Sequence, residues 1–293
     1  MEPLVLYVLD LASGAAPDLA LRRVPARETV LTATDLSATR GDGVFETVLV
    51  VDGTPQALEE HLDRFARSAA LLDLPDPRRD LWRHAVLTAA AELGTLRPRA
   101  AIKFVLSRGD EAGDGVGTGW ALGFAPSAPP AVPPAPIDVV LLDRGYRHDV
   151  AQTSPWLLQG AKTLSYAVNM AALREARRRG AQDVVFVSSD GFVLEGPTST
   201  LIARIDGGYL TPPPDLGILP GTTQADVFAA LRGWGEQVAT RRLTVPDLLG
   251  ADAVWLCSST RGAAAVRSID GTEFAVDDVL TERLRDHLDA RRK

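Results

Sequence analysis

The feature of this sequence that most restricts its fold is a proline-rich run between residues 126 and 136. The run reads PSAPPAVPPAP and contains six prolines. Proline has no amide N–H to donate and its ring holds φ at about −65°, so such a run stays extended and enters neither a helix nor the middle of a sheet. We therefore predict a smaller N-terminal α+β domain over residues 1–125, a linker over 126–136, and a larger C-terminal domain over 137–293.

The hydrophobic pattern predicts helices and strands on both sides of this run. Before it, the pattern predicts strands over 45–51, 101–106 and 120–124, helices over 58–72 and 78–93, and a hairpin turn at Asp52-Gly53. After it, the pattern predicts strands over 137–142, 184–187, 192–194, 201–204 and 254–257, and helices over 164–179, 222–231 and 279–291. Because strands and helices are interspersed, the predicted fold class is α+β.

Composition argues against several kinds of function. The chain of 293 residues carries a net charge of −7, which is unfavourable for binding nucleic acid. Its one cysteine cannot form an internal disulfide and its four histidines show no ligand spacing, so we expect no bound metal. The sequence opens without a signal-peptide pattern and contains no apolar run of about 18 residues. We therefore expect a cytoplasmic protein that does not bind membranes.

Lys162 is the first candidate for chemistry. It lies in GAKTLSYAVNM, directly before a predicted helix and among apolar residues. A lysine taken alone is most often a surface residue. Partial burial would lower its pKa, and this favours imine formation and general-base catalysis.

Glu195 is the second candidate, at the end of an apolar strand in GFVLEGPTST. One interpretation is an exposed acid at a strand end. The other is a buried acceptor for the proton of a pyridine nitrogen, which a pyridoxal-phosphate (PLP) enzyme needs if the ring is to withdraw electrons.

Three further features suit a phosphate group. The segment GILPGTT, over 217–223, places a glycine and two hydroxyls at the start of a predicted helix, where free amides and the helix dipole attract anions. A second hydroxyl-rich turn, over 258–262, follows a buried strand and suits the same group. Arg64 lies off the apolar stripe of its predicted helix and is either a phosphate ligand or a solvated side chain.

Four segments occur in an order that resembles one enzyme family. They are RGDGVFET (40–47), HLDRFARSAALL (61–72), the stretch from KTLSYAVNM to GPTSTLI (162–202), and GILPGTTQ (217–224). Together they look like the class IV, or fold-type IV, PLP-dependent aminotransferases. That family includes branched-chain aminotransferases, D-amino-acid aminotransferases and 4-amino-4-deoxychorismate lyases.

The resemblance implies a two-domain α+β fold with PLP at the domain interface, and a homodimer. It implies that Lys162 forms the Schiff base with PLP and that Glu195 pairs with the pyridine nitrogen. The remaining cofactor ligands expected from the resemblance and from the two hydroxyl-rich turns are Arg64, Tyr166, Gly221, Thr222, Thr223, Ser259 and Thr260.

Within the family, FVLSRG and PWLLQGAKTLSYAVNM resemble the lyase branch, which releases p-aminobenzoate and pyruvate in folate biosynthesis. Because its substrate carries two carboxylates, we expect cations in the substrate site. The predicted substrate-binding residues are Phe45, Lys103, Arg108 and Arg261, with Arg261 the sharpest prediction. An aminotransferase of D-amino acids, branched-chain amino acids or amines would share every cofactor residue. A binding module without catalysis is the third interpretation.

Overall fold

The computed structural model describes residues 2–12, 14–113, 115–125 and 135–291. The predicted linker at 126–136 lies outside the described residues except for its last two positions. By its internal contacts the chain divides into two compact units. Unit 1 comprises Met1–Pro129, Ala161–Tyr166 and Arg291–Lys293, and unit 2 comprises Pro130–Gly160 and Ala167–Ala290.

Within the described residues, unit 1 contains a six-stranded antiparallel sheet in the order β2-β1-β6-β5-β3-β4. Its strands are β1 (Glu2–Leu9), β2 (Leu21–Val24), β3 (Gly43–Val51), β4 (Thr54–Pro55), β5 (Arg99–Ser107) and β6 (Thr118–Ala125). Its helices are α1 (Leu36–Thr39), α2 (Leu58–Leu71) and α3 (Arg79–Leu96).

Local signals in the sequence account for much of unit 1. Asp52 and Gly53 both adopt positive φ, of 47° and 75°, as a tight hairpin turn between β3 and β4 requires. Helices α2 and α3 meet β5 through a cluster of three buried aromatic rings, Phe65, Trp82 and Phe104, whose centroids lie 4.9 to 5.9 Å apart. This cluster anchors α2, the helix that carries Arg64.

Unit 2 contains a mixed eight-stranded sheet in the order β11-β10-β9-β12-β13-β7-β8, with β14 paired to β13, as far as the described residues show. Its strands are β7 (Ile137–Asp143), β8 (Asp183–Val187), β9 (Thr200–Ile205), β10 (Gly208–Thr211), β11 (Val238–Thr240), β12 (Ala253–Ser258), β13 (Gly262–Ile269) and β14 (Thr272–Glu273). Its helices are α4 (Val150–Thr153), α5 (Ala167–Arg178), α6 (Thr222–Gly233), α7 (Val245–Leu249) and α8 (Asp278–Asp289), and 3₁₀ turns occur at Pro155–Leu157 and Pro214–Leu216.

Both faces of the central strands of this sheet are buried. Successive side chains of a strand point to opposite faces. In β12, Val254 and Leu256 therefore pack into one apolar cluster, while Trp255 packs with α6 and α8 in another. The Trp255 indole also donates a hydrogen bond of 2.8 Å to Thr281 in α8. This packing holds α6 and α8 against β12.

The segment that carries Lys162 differs from the sequence prediction. A helix was expected from residue 164, but α5 begins at Ala167, and Ala161–Tyr166 belongs to unit 1 rather than to the C-terminal part. The reason is backbone pairing with β3: the Phe45 amide donates to the Lys162 carbonyl at 3.1 Å, and the Leu164 amide donates to Gly43 at 2.8 Å. A hydrophobic pattern does not report pairing with a strand so distant in sequence.

The strand expected over 192–194 is a second difference. Residues 192 and 193 form only isolated bridges, Val187 with Val193 and Phe192 with Thr244. The two bridges face different neighbours, so no continuous ladder forms.

Elsewhere each unit combines helices with its own sheet, which confirms the predicted α+β class. No helix in the described ranges has the length and apolar character needed to cross a membrane.

Candidate active site

The Lys162 side chain is half-buried in unit 1 and lies over an aromatic ring. Its Nζ atom is 4.5 Å from the centroid of Phe45. Its backbone amide donates a hydrogen bond of 3.1 Å to the Ser68 hydroxyl on α2. The Lys162 backbone is thus held between a strand pairing and a helix, and its amine lies over the electron-rich face of a ring.

Three other predicted residues lie at this site: Phe45 provides the ring, and Lys103 and Tyr166 contact it. Lys103 on β5 places Nζ 5.2 Å from the Phe45 centroid. The Tyr166 ring meets Phe45 edge-on, with centroids 5.4 Å apart and planes at 82°. Burial lowers the pKa of Lys103, and no hydrogen bond or ion pair to it occurs among the described residues. The structure therefore brings Phe45, Lys103, Lys162 and Tyr166 together.

Arg64 is buried rather than solvated. Its Nε donates to Glu46 Oε1 at 2.6 Å and its Nη2 donates to Glu46 Oε2 at 2.8 Å. His61, one turn earlier on α2, places Nδ1 2.8 Å from Glu46 Oε2. Glu46 and His61 were missed in the sequence. The available signal was the spacing of His61 and Arg64, which puts them on one helix face.

Arg108 has a structural role that its sequence context did not reveal. Its Nε and Nη2 bind the Asp42 carboxylate at 2.7 and 3.3 Å, and the same guanidinium donates to the carbonyls of Leu72 and Asp73. The hydrogen bond to Asp42 raises the pKa of Arg108. These contacts brace the end of α2, and substrate binding by Arg108 stays a prediction.

In unit 2, the start of α6 is the site predicted to cradle an anion. Thr222 and Thr223 are buried, and among the described residues no side chain caps the helix at Gly221. A methyl group at Gly221 would lie 2.2 Å from Thr200 Oγ1, so glycine is needed for the start of α6 to lie this close to the Thr200 side chain. The backbone amides at a helix start and the positive end of the helix dipole suit a phosphate group.

Ser259 and Thr260 lie in the turn between β12 and β13. Cys257, near the end of β12, pairs with Thr200 at the start of β9, the residue that also contacts Gly221. The hydroxyl-rich turn and the helix start therefore flank the same residue. The donors that the sequence suggested for a phosphate in unit 2 fit that group.

Replacing Gly221 by alanine should weaken PLP binding about tenfold or more, because the new methyl group must displace Thr200. The matched control is Gly233→Ala at the other end of α6, where an added methyl group meets open space and should be neutral or slightly stabilising. Titration of each apoenzyme with PLP checks this. Equal affinities in the two variants would show that the start of α6 does not bind the phosphate group.

Arg261 forms an ion pair that the sequence analysis did not foresee. Its Nη1 lies 2.5 Å from Oδ2 of Asp183, a fully buried carboxylate at the start of β8. The Arg261 side chain itself remains about one-third exposed.

Nearby, burial raises the pKa of Cys257 to about 12, so that thiol is inert.

Glu195 is half-buried in unit 2. Its carbonyl accepts from the Phe186 amide at 2.9 Å, which ties it to β8. Arg144 lies over Phe186, with Cζ 4.5 Å from the centroid, and 5.7 Å from the Tyr146 ring. Burial raises the pKa of Tyr146, Arg144 opposes this, and the Glu195 charge adds to it. Arg144 and Tyr146 were missed, although a polar pair directly after the buried strand β7 was visible in the sequence.

Comparison with known proteins identifies the family of this chain. The model of the amino-transferase class IV family matches residues 43–269. A bifunctional aminodeoxychorismate lyase / D-amino acid transaminase of Mycobacterium tuberculosis is 44% identical over 250 residues, which cover 83% of this chain and 86% of that protein.

Two solved structures are similar over nearly the whole chain. A fold IV transaminase from Curtobacterium pusillum superposes with a TM-score of 0.93 at 48% identity, covering 98% of this chain and 99% of that one. The PLP-bound form of a hypothetical aminotransferase from Mycobacterium tuberculosis gives a TM-score of 0.87 at 38% identity, with 98% of each chain covered. The chain belongs to the class IV aminotransferases, a family of PLP enzymes close to aminodeoxychorismate lyase, and pyridoxal phosphate is its cofactor.

Proposed function

We propose that this enzyme is a 4-amino-4-deoxychorismate lyase, which forms p-aminobenzoate and pyruvate for folate biosynthesis. The observation that carries the proposal is the pair of amines over Phe45. Lys162 supplies the reacting amine, and Lys103 is a cation with no carboxylate partner among the described residues. A second ammonium group beside the reacting amine suits a substrate that carries carboxylates.

The proposal gives each residue a role toward PLP. Lys162 attaches the cofactor, and Glu195 accepts the hydrogen bond of its ring nitrogen. The phosphate group is assigned to Arg64, Gly221, Thr222, Thr223, Ser259 and Thr260, and Tyr166 contacts the cofactor beside Lys162. When bound, PLP supplies an electron sink that acidifies the carbon bearing the amino group of the substrate.

Lys162 performs the proton transfers. As a neutral amine it takes the proton from C4 of the substrate, the carbon that bears the amino group. The electrons of that C–H bond complete the aromatic ring while the bond from the ring to the enolpyruvyl oxygen breaks. Lys162 then returns the proton to the enolpyruvyl methylene, which gives pyruvate. Atoms and electrons balance without an oxidant, water or an amino acceptor.

A class IV aminotransferase acting on D-amino acids, branched-chain amino acids or amines is the second candidate. The relative from Mycobacterium tuberculosis carries both lyase and D-amino acid transaminase in its name, and the similar Curtobacterium structure is a transaminase. Transamination would use Lys162, Glu195 and the phosphate cradle in the same way. The two candidates differ in what the substrate site accepts.

One experiment distinguishes the lyase from the aminotransferase. Purified enzyme with aminodeoxychorismate and no keto acid should release pyruvate and p-aminobenzoate in equal amounts over many turnovers. Parallel reactions contain D-alanine or a branched-chain amino acid with a keto acid. Failure to form p-aminobenzoate, together with rapid amino transfer in the parallel reactions, would replace the lyase by the aminotransferase.

Arg261→Ala is expected to raise KM for aminodeoxychorismate roughly tenfold or more, the loss expected for one charge-assisted hydrogen bond of about 1.5–3 kcal/mol. The visible absorbance of the lysine-linked cofactor should not change. Asp183→Asn is the matched control, because it breaks the same ion pair but keeps the cation. If both variants raise KM equally, Arg261 acts by bracing Asp183 and does not bind the substrate.

The proposal also includes a homodimer, since class IV sites resemble ones completed by a neighbouring subunit. It includes a two-domain division at residues 126–136, a cytoplasmic location, a small-molecule substrate and no nucleic-acid or membrane partner.

A further inference from the structure

A buried carboxylate, imidazole and guanidinium lie together in unit 1. Glu46, His61 and Arg64, here called the Glu46 cluster, are 0%, 1% and 5% exposed. Charged side chains are seldom buried so completely unless they are paired. The apolar core of this unit is formed by other side chains, so the cluster needs its own explanation.

The contacts in the cluster restrict the orientation of Arg64. Glu46 receives Nε and Nη2 of the guanidinium on its two oxygens, at 2.6 and 2.8 Å. Such two-point pairing determines the plane of the guanidinium as well as its position. The Nε–Nη2 edge faces Glu46, and the Nη1 edge is consequently directed away from it.

His61 holds the carboxylate in turn. An ionised carboxylate only accepts hydrogen bonds, so His61 Nδ1, 2.8 Å from Glu46 Oε2, carries the proton and donates it. Burial lowers the pKa of His61, and the charges of Arg64 and Lys162 lower it further against the opposing effect of Glu46. The imidazole therefore stays neutral and acts as a hydrogen-bond donor.

Glu46 remains ionised in this setting. Burial opposes its charge, but Arg64 and His61 outweigh that effect and hold the pKa of Glu46 far below its usual range. The cluster thus consists of one anion, one cation and one neutral donor. It carries no net charge, and its guanidinium is held in one orientation.

The position of the cluster relates it to Lys162. Glu46 follows Phe45 in β3, and neighbouring residues of a strand point to opposite faces. Phe45 accordingly contacts the Lys162 amine, while Glu46 contacts α2. The same helix α2 receives the Lys162 amide through Ser68. Strand and helix therefore position Arg64 and Lys162 relative to each other within unit 1.

We propose that Glu46 and His61 are positioning residues that hold Arg64 in the orientation in which it binds the phosphate group of PLP. This rests on the proposed function, which assigns Arg64 to that phosphate. If the cluster only stabilised the fold, substitutions in it would weaken the binding of every ligand of the site to the same degree. If it positions Arg64, they weaken the binding of ligands that carry the phosphate group.

The test compares PLP with pyridoxal, which lacks the phosphate. The full-length apoenzyme, prepared from purified holoenzyme, is titrated with each ligand. Glu46→Gln should weaken PLP binding about 10- to 100-fold, the range for losing a group that orients a ligand-binding side chain. His61→Ala should act in the same direction with a smaller effect. Pyridoxal binding should stay within about twofold of wild type in both, since neither variant changes a group assigned to the ring.

A double-mutant cycle tests whether Glu46 acts through Arg64. Arg64→Met should weaken PLP binding, and adding Glu46→Gln should weaken it no further. If Arg64→Met leaves PLP affinity unchanged, the phosphate assignment in the proposed function fails. Two results would overturn the positioning role alone. In the first, Arg64→Met weakens PLP binding but Glu46→Gln does not. In the second, Glu46→Gln weakens the binding of PLP and of pyridoxal equally. Should Glu46→Gln not fold, Glu46→Asp keeps the charge, displaces the carboxylate by one methylene, and carries the same expectation.

Discussion

Lys162→Ala is expected to lower turnover roughly 10³-fold or more and to remove the visible absorbance of the lysine-linked cofactor. The magnitude follows from the two roles proposed for this amine, attachment of PLP and transfer of a proton, of which the second alone contributes about 10²- to 10⁴-fold in enzymes. The measurement is the rate of pyruvate release together with the absorbance spectrum of the purified variant.

Lys103→Met is the matched control for Lys162, because both ammonium groups lie over the Phe45 ring. It should retain the cofactor absorbance and should raise KM, since Lys103 is proposed to bind a substrate carboxylate. A Lys162→Ala enzyme that stays coloured and active would overturn the assignment, and a colourless Lys103→Met enzyme would transfer it to the other lysine.

Glu195→Gln is expected to lower kcat on the order of 100-fold, as when one charge-stabilising group is removed from an active site. An amide cannot stabilise a protonated ring nitrogen as a carboxylate does, so the cofactor withdraws electrons poorly. PLP should remain bound, because its phosphate and lysine contacts are intact. The measurement combines steady-state kinetics with the PLP content of the variant.

Glu273→Gln, an exposed glutamate of unit 2 in β14, controls for the loss of one negative charge and should leave kcat unchanged. Turnover by Glu195→Gln at the wild-type rate would show that Glu195 is not the partner of the ring nitrogen.

Local features of the sequence could be predicted well. Asp52-Gly53 specified a hairpin through the two positive φ angles that it adopts. Helix α2, expected over 58–72, runs over Leu58–Leu71, because its apolar spacing reports a buried face directly. The hydroxyl-rich segments lie at a helix start and in a strand turn, as predicted, since both signals are contained within a few residues.

The rest depended on contacts between distant parts of the chain. Lys162 lies on a segment that pairs with β3, more than 100 positions away, so its segment is extended rather than helical. Arg64 and Arg261 both looked like available cations, but their carboxylate partners, Glu46 and Asp183, come from other strands. The pattern of a single segment contains no information about such partners, so these two ion pairs could not be predicted from the sequence.

The central claim is that Lys162 carries the cofactor. Borohydride reduction of the holoenzyme makes the link between PLP and its lysine permanent, and digestion followed by mass spectrometry then locates the phosphopyridoxyl group. We predict that the group is found on Lys162, in the peptide that contains GAKTLSYAVNM. A phosphopyridoxyl group on Lys103, or on no lysine of a coloured and active enzyme, would contradict it.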